Sequence, residues 1–204
     1  SAGSVQSFAE PFLNCGVRVF SAFAANGVPV AEYTVSQIIL ASKGFYQGAK
    51  RYRLALPSSF IHTQKSKGNF DIKVGLAGLG SIGSMVAERL KEYDVSVYAY
   101  DPFCSEEKAE KLGVTLVDLK TLFKECDVIS NHLANKPELE NVFNRKFFKL
   151  MKKHSTFINT GRGAQVAEYH KYYDVIHFGE LYRLISPFEN AYRAAWMFVS
   201  EDKS

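Results

Sequence analysis

The chain has 204 residues with 25 Lys+Arg against 21 Asp+Glu, a formal charge of +4, and 47% of it is hydrophobic. This is globular composition, one domain or one plus a fragment at roughly 150 residues each, and it excludes a disordered or low-complexity chain. The weak charge calls for no nucleic acid, no apolar run reaches the roughly 18 residues of a membrane span, and three cysteines without CxxC spacing (Cys15, Cys104, Cys126) make neither a disulfide frame nor a zinc site.

Such cysteine usage points to reduced thiols and a cytoplasmic location. The opening Ser1-Ala2-Gly3-Ser4 carries no secretory signal and reads as a chain beginning in mid-protein. Val17-Arg18-Val19-Phe20 reads as a strand. A long helix follows Pro29, whose fixed φ suits a first turn, and carries Val30, Ala31, Val35, Ile38, Ile39 and Phe45 onto one apolar face. After a polar connection over 51–69, Ile72-Lys73-Val74-Gly75-Leu76-Ala77 reads as a strand covered on both sides. A helix from about Ile82 turns Met85, Val86, Leu90 and Tyr93 inward and leads to a strand over 95–100, ending in Asp101-Pro102. Ser105 caps the next helix, with Glu106 and Glu107 where the helix dipole favours anions. Leu119, Leu122, Phe123 and Cys126 have helical i, i+3, i+4, i+7 spacing and precede a short strand over 127–130. Asn144 caps a basic amphipathic helix over 145–153, read as a solvated face over a core stripe. Residues 156–159 form the last clear strand. This alternation predicts an α/β fold, a doubly wound parallel sheet of Rossmann type. Beyond about Gly163 the texture changes: nine aromatics fall between Tyr169 and Phe198, and no strand–helix alternation can be followed.

The chemistry is written first in Gly78-Leu79-Gly80-Ser81-Ile82-Gly83, which follows a buried strand and opens a helix. Gly78 allows the tight turn, Gly80 lets the backbone approach a pyrophosphate, and Gly83 lets helix and sheet pack closely. Asp101, 18 residues beyond Gly83 at the end of the next strand, is placed to accept from a ribose 2′-OH. A carboxylate there repels a 2′-phosphate, so the predicted cofactor is NAD rather than NADP. The second signal is Asn159-Thr160-Gly161-Arg162-Gly163, directly after a strand. There Arg162 can meet a substrate carboxylate with its two-pronged guanidinium.

These motifs, with Cys126-Asp127-Val128-Ile129-Ser130-Asn131-His132 and Val30-Ala31-Glu32, resemble the NAD-dependent D-2-hydroxyacid dehydrogenases, which include glycerate, phosphoglycerate and D-lactate dehydrogenases. The resemblance implies that Ser81 and Ile82 lie on the pyrophosphate and that Asp101 is the ribose acid. Leu133 and Ala134 would border the adenine side; Ala134 stands where that family usually has Pro. Thr160 and Gly161 would lie beside the nicotinamide, with Arg162 orienting the substrate's carboxylate and carbonyl. Ala2-Gly3-Ser4 resembles the family's carboxylate-binding turn. The family's catalytic His, in a Pro-His context, and its partner Glu have no match here, and His62, His154, His170 and His177 are assigned no proton.

From about 165 onward the chain instead resembles a stretch of microbial TIM-barrel α-galactosidases, through Phe178-Gly179-Glu180-Leu181-Tyr182-Arg183-Leu184 and Ala195-Trp196-Met197-Phe198-Val199. The expected organisation is therefore a remnant of a split substrate domain over 1–25, an NAD-binding Rossmann domain over 26–166 and a tail of different origin over 167–204. The expected function is hydride transfer between NAD and a small 2-hydroxy or 2-keto acid, with no metal, nucleic acid or membrane partner. Homodimerisation through the nucleotide domain is implied by the resemblance. Two alternatives stay open: a non-catalytic NAD-binding module from the same family, and another nucleotide-using Rossmann protein such as an S-adenosylmethionine enzyme.

Overall fold

A computed structural model describes residues 6–20, 22–46, 48–49, 67–161, 163–167, 174–177 and 196–199. Among the described residues seven strands make one sheet: β1 (Ile72–Ala77), β2 (Val95–Tyr100), β3 (Val114–Leu116), β4 (Val128–Asn131), β5 (Thr156–Asn159), β6 (Asp174–His177) and β7 (Trp196–Val199), in the order β3-β2-β1-β4-β5-β7-β6. The first five strands are parallel, with Val74 opposite both Val97 and Val128 in the register. The order reverses between β1 and β4, and such a switch point opens a crevice beyond the carboxyl ends of the strands.

Side-chain alternation along the strands builds the two layers. Ile72, Val74, Leu76, Val97, Ala99, Val128 and Ile158 point to one face. There they meet Ala31, Val35 and Ile38 of the helix Phe23–Ser42 and Val86, Ala87 and Leu90 of the helix Ser81–Leu90. Ala77, Ile129 and Phe157 point to the other, against Leu119, Leu122 and Phe123 of the helix Leu119–Glu125. Helices thus cover both faces, as the continuous apolar strands require. Helix ends follow capping chemistry: Ser105 Oγ accepts from Lys108 N at 3.2 Å, and Asp118 Oδ1 from Thr121 N at 2.7 Å. Gly113, at φ 68°, terminates the helix Glu106–Leu112 in the left-handed region.

Several expectations are corrected. Residues 17–20 are not a strand; Val17 and Val19 are exposed, and Phe20 is 88% exposed. The long helix starts at Phe23 rather than after Pro29. Pro29 lies inside it on an exposed position, where its missing N–H removes one backbone bond without stopping the helix. Phe45 and Tyr93 fall beyond the ends of the helices Phe23–Ser42 and Ser81–Leu90 and stay 42% and 39% exposed. Tyr46 is buried in place of Phe45, its hydroxyl donating to Gln37 Oε1. The basic run over 145–153 forms one helical turn, Arg145–Phe148, capped by Asn144 as expected. His154, at φ 64°, is therefore not its C-terminal residue. β3 was not foreseen, because three residues give too little pattern to read.

The sheet also does not end at 156–159. β7 pairs antiparallel with β5, placing Phe198 opposite Phe157, and β6 pairs antiparallel with β7. An open β5 edge would present unpaired N–H and C=O groups, and the apolar Trp196–Val199 run supplies the partner strand. Residues 168–173 and 178–195 of the aromatic tail lie outside the described residues.

Candidate functional site

The chain leaves β1 at Gly78, whose N–H donates to Tyr100 O at 2.8 Å. Its φ is 100°, and a Cβ there would stand 2.8 Å from the carbonyl of His132, so conformation and contact both demand glycine. Gly83, in the first turn of the helix Ser81–Leu90, is closer still: a Cβ would lie 2.0 Å from Gly78 O. Gly80 is the opposite case, since a Cβ there would meet nothing within 4 Å. It occupies the N-cap position with no side chain capping the helix. The first N–H groups of this helix therefore have no side-chain cap, and the positive end of the macrodipole lies behind them.

Asp101 closes the same corner from the end of β2. Its Oδ2 accepts from Leu79 N at 2.7 Å and its Oδ1 from Phe103 N at 2.9 Å. Each carboxylate oxygen keeps further acceptor capacity, enough for a vicinal diol. Lys108 Nζ donates to Leu79 O at 2.6 Å and helps fix the glycine turn.

The opposite wall comes from the ends of β4 and β5. Asn131, Asn159 and Gln165 are fully buried. Asn131 Nδ2 donates to Asn159 Oδ1 at 3.0 Å and to Gln165 Oε1 at 2.7 Å, and Asn131 Oδ1 accepts from Leu133 N at 3.0 Å. Asn159 Oδ1 also accepts from Gly161 N at 3.0 Å. His132 Nδ1 lies 3.5 Å from Thr160 Oγ1, while its Nε2 is enclosed without a hydrogen-bond partner among the described residues. Burial pushes the His132 imidazole down to about 4, so the ring is neutral at physiological pH.

Between the walls is a crevice of about 470 Å³. Of the residues singled out in the sequence, Gly78, Gly80, Ser81, Ile82, Asp101, Leu133, Ala134, Thr160 and Gly161 all line it. Gly83 sits behind it, holding helix to strand. Arg162, His62, His170 and the Ala2-Gly3-Ser4 turn lie outside the described residues, and His177 belongs to β6. Sequence reasoning gave no role to Asn131, His132 or Gln165, nor to Phe103 and Lys136 at the crevice mouth, where Lys136 Nζ stands 5.1 Å over the Phe103 ring. The available signal was polar residues closing otherwise apolar strands, at Asn131 and Asn159. No cluster of His, Cys, Asp or Glu able to hold a metal occurs among the described residues.

An uncapped helix N-terminus, an open space at Gly80 and an anchored carboxylate at the neighbouring strand end fit a dinucleotide diphosphate and its ribose. Comparison with known proteins agrees. Residues 35–177, well over half of the chain, match the family model described as D-isomer specific 2-hydroxyacid dehydrogenase, NAD binding domain. The D-3-phosphoglycerate dehydrogenase of Synechocystis sp. is 33% identical over 155 residues, covering 75% of this chain and 27% of that protein. The NAD-complexed D-isomer specific 2-hydroxyacid dehydrogenase from Lactobacillus delbrueckii ssp. bulgaricus superposes with a TM-score of 0.58 at 34% identity, over 74% of this chain and 44% of that one. The NAD complex of a formate dehydrogenase from Staphylococcus aureus gives 0.60 at 30% identity, over 70% and 42%. The chain thus spans between about a quarter and somewhat under half of the length of these relatives. By the extent of that family match, it belongs to the D-isomer-specific 2-hydroxyacid dehydrogenases and carries their NAD-binding domain.

Proposed function

We propose that the whole protein oxidises the CH–OH group of a small D-2-hydroxy acid, glycerate- or phosphoglycerate-like, or reduces the matching 2-keto acid. When bound, NAD supplies a nicotinamide ring that accepts or delivers hydride. The residues of this chain bind and orient. Gly80, Ser81 and Ile82 offer the diphosphate their backbone face, Asp101 takes the ribose hydroxyls, and Leu133 and Ala134 border the adenine side. Thr160 and Gly161 lie at the nicotinamide side, and Arg162 holds the substrate's carboxylate. The supporting observation is the helix N-terminus at Gly80, without a capping side chain and with room for an added Cβ, beside a carboxylate held by two backbone N–H groups.

The family's His–Glu pair has no counterpart by motif in these 204 residues, so they bind NADH with little turnover of their own. We take 1–25 as part of a split substrate domain, 26–166 as the NAD-binding domain and 167–204 as a tail of different origin. No described helix is long and apolar enough to cross a membrane. A cytoplasmic homodimer is the proposed working form. Fluorescence titration with NADH, with and without hydroxypyruvate, tests the reading: saturable binding, tightened by the keto acid, is expected. Turnover of hydroxypyruvate by the chain alone contradicts the assigned lack of a catalytic base, and absence of NADH binding contradicts the whole reading.

A further inference from the structure

Three buried amides join the segments that follow β4 and β5, the two halves of one wall of the crevice, and nothing in the cofactor reading requires them to. Gln165 Nε2 donates to Ala134 O at 2.8 Å and to Leu133 O at 3.3 Å, while Gln165 Oε1 accepts from Asn131 Nδ2 at 2.7 Å. Asn131 passes the connection to Asn159 Oδ1, which holds the N–H of Gly161. A continuous line of hydrogen bonds therefore runs from the backbone at Ala134 to the backbone at Gly161.

Satisfaction is complete where it can be counted. Asn131 spends both amide hydrogens and its oxygen, and Gln165 spends both hydrogens and its oxygen. All three side chains are at most 1% exposed, so the bonds form in a low-dielectric interior, and a broken link would leave a buried polar group unpaired. Gly161 rests directly on the trio: a Cβ there would stand 2.9 Å from Asn131 Nδ2, 3.2 Å from Gln165 Oε1 and 3.3 Å from Asn159 Oδ1. The loop after β5 cannot shift toward the sheet without displacing the amides, and the amides cannot shift without moving Leu133 and Ala134.

We infer that Gln165 is a positioning residue that keeps the adenine-side segment after β4 and the nicotinamide-side loop after β5 in register, so that occupying one segment orders the other. This rests on the NAD reading of the crevice. An apolar side chain of similar length would fill the same space, so what the amide adds is the fixed spacing between two segments that touch opposite halves of one ligand.

The test compares NADH with AMP, a probe that carries the adenine, its ribose and a phosphate but nothing that reaches the nicotinamide-side loop, on the full chain and on Gln165→Met, which keeps length but no amide. Gln165→Glu, which keeps the acceptor for Asn131 and loses the amide donors to Leu133 and Ala134, is the second variant. With binding measured well below the melting temperature, NADH should weaken about 10-fold or more in Gln165→Met, which corresponds to about 1.4 kcal/mol. AMP should weaken by less than about 3-fold. In the unmutated protein, AMP should slow hydrogen exchange at the Gly161 amide, and this protection should vanish in both variants. Equal losses for NADH and AMP, or unchanged affinities, or no AMP effect at Gly161, overturn the inference. An unmutated chain that fails to bind NADH overturns the cofactor reading and the inference with it.

Discussion

The three glycines of the turn make opposite demands, and one substitution chemistry separates them. Adding a methyl at Gly80 meets nothing within 4 Å, at φ −66° and ψ −160°, a conformation open to alanine. Gly80→Ala should therefore cost the fold at most about 1 kcal/mol, the usual difference between glycine and alanine at an N-cap. Its methyl, however, occupies the space a diphosphate must enter, and NADH affinity should fall about 10- to 100-fold, or about 1.4–2.8 kcal/mol. Gly83→Ala places its methyl 2.0 Å from a backbone carbonyl, more than 1 Å inside ordinary contact, so helix and strand must separate. A clash with rigid backbone belongs at the upper end of overpacking, about 3 kcal/mol or more. At roughly 2–4 °C per kcal/mol for a chain of this size, that lowers the melting temperature by about 6–12 °C. Differential scanning fluorimetry and an NADH titration on both variants give a crossed pattern, with binding lost and stability kept in one and stability lost in the other. An unaltered NADH affinity in Gly80→Ala, or an unaltered melting temperature in Gly83→Ala, refutes the reasoning.

Three further outcomes follow from the same geometry. Asp101→Ala removes the acceptor for Leu79 N and Phe103 N as well as the ribose contact, so calorimetry should show NADH binding weakened about 10-fold or more, with a smaller gap between NADH and NADPH. His132, held neutral by burial with its value near 4 in the fold and near 6.5 unfolded, contributes a pH dependence: stability is full above about pH 6.5 and falls by up to about 3 kcal/mol as pH drops to 4. Denaturant melts across that range should show the loss, and His132→Gln should flatten it. Phe123→Ala empties the centre of a ring cluster formed with Phe143, Phe147, Phe148 and Phe157, with centroids 5.3–5.8 Å away. It should cost about 3–5 kcal/mol while leaving NADH affinity of the folded molecules unchanged.

Apart from β3, the order of strands and helices from Ile72 to Asn159 was legible because the strands are short runs rich in apolar residues and because helices such as those after Ser105 and Asn144 open on a capping side chain. The glycine turn was legible because its context, strand before and helix after, is local. What escaped notice depends on partners distant in sequence. The start of the first long helix follows tertiary packing that tolerates Pro29, and β6 and β7 make sense only beside the open edge of β5. Nothing near Gln165 in sequence says that its amide will meet Asn131, 34 positions away, and bind two sites together.

The central claim is that the N-terminus of the helix Ser81–Leu90 receives a diphosphate while Asp101 receives the adjoining ribose. A crystal structure of the chain with NADH tests it most directly. The account predicts diphosphate density against the backbone of Gly80, Ser81 and Ile82, with the ribose hydroxyls on the Asp101 carboxylate. NADH bound elsewhere, or with its ribose turned away from Asp101, would contradict it.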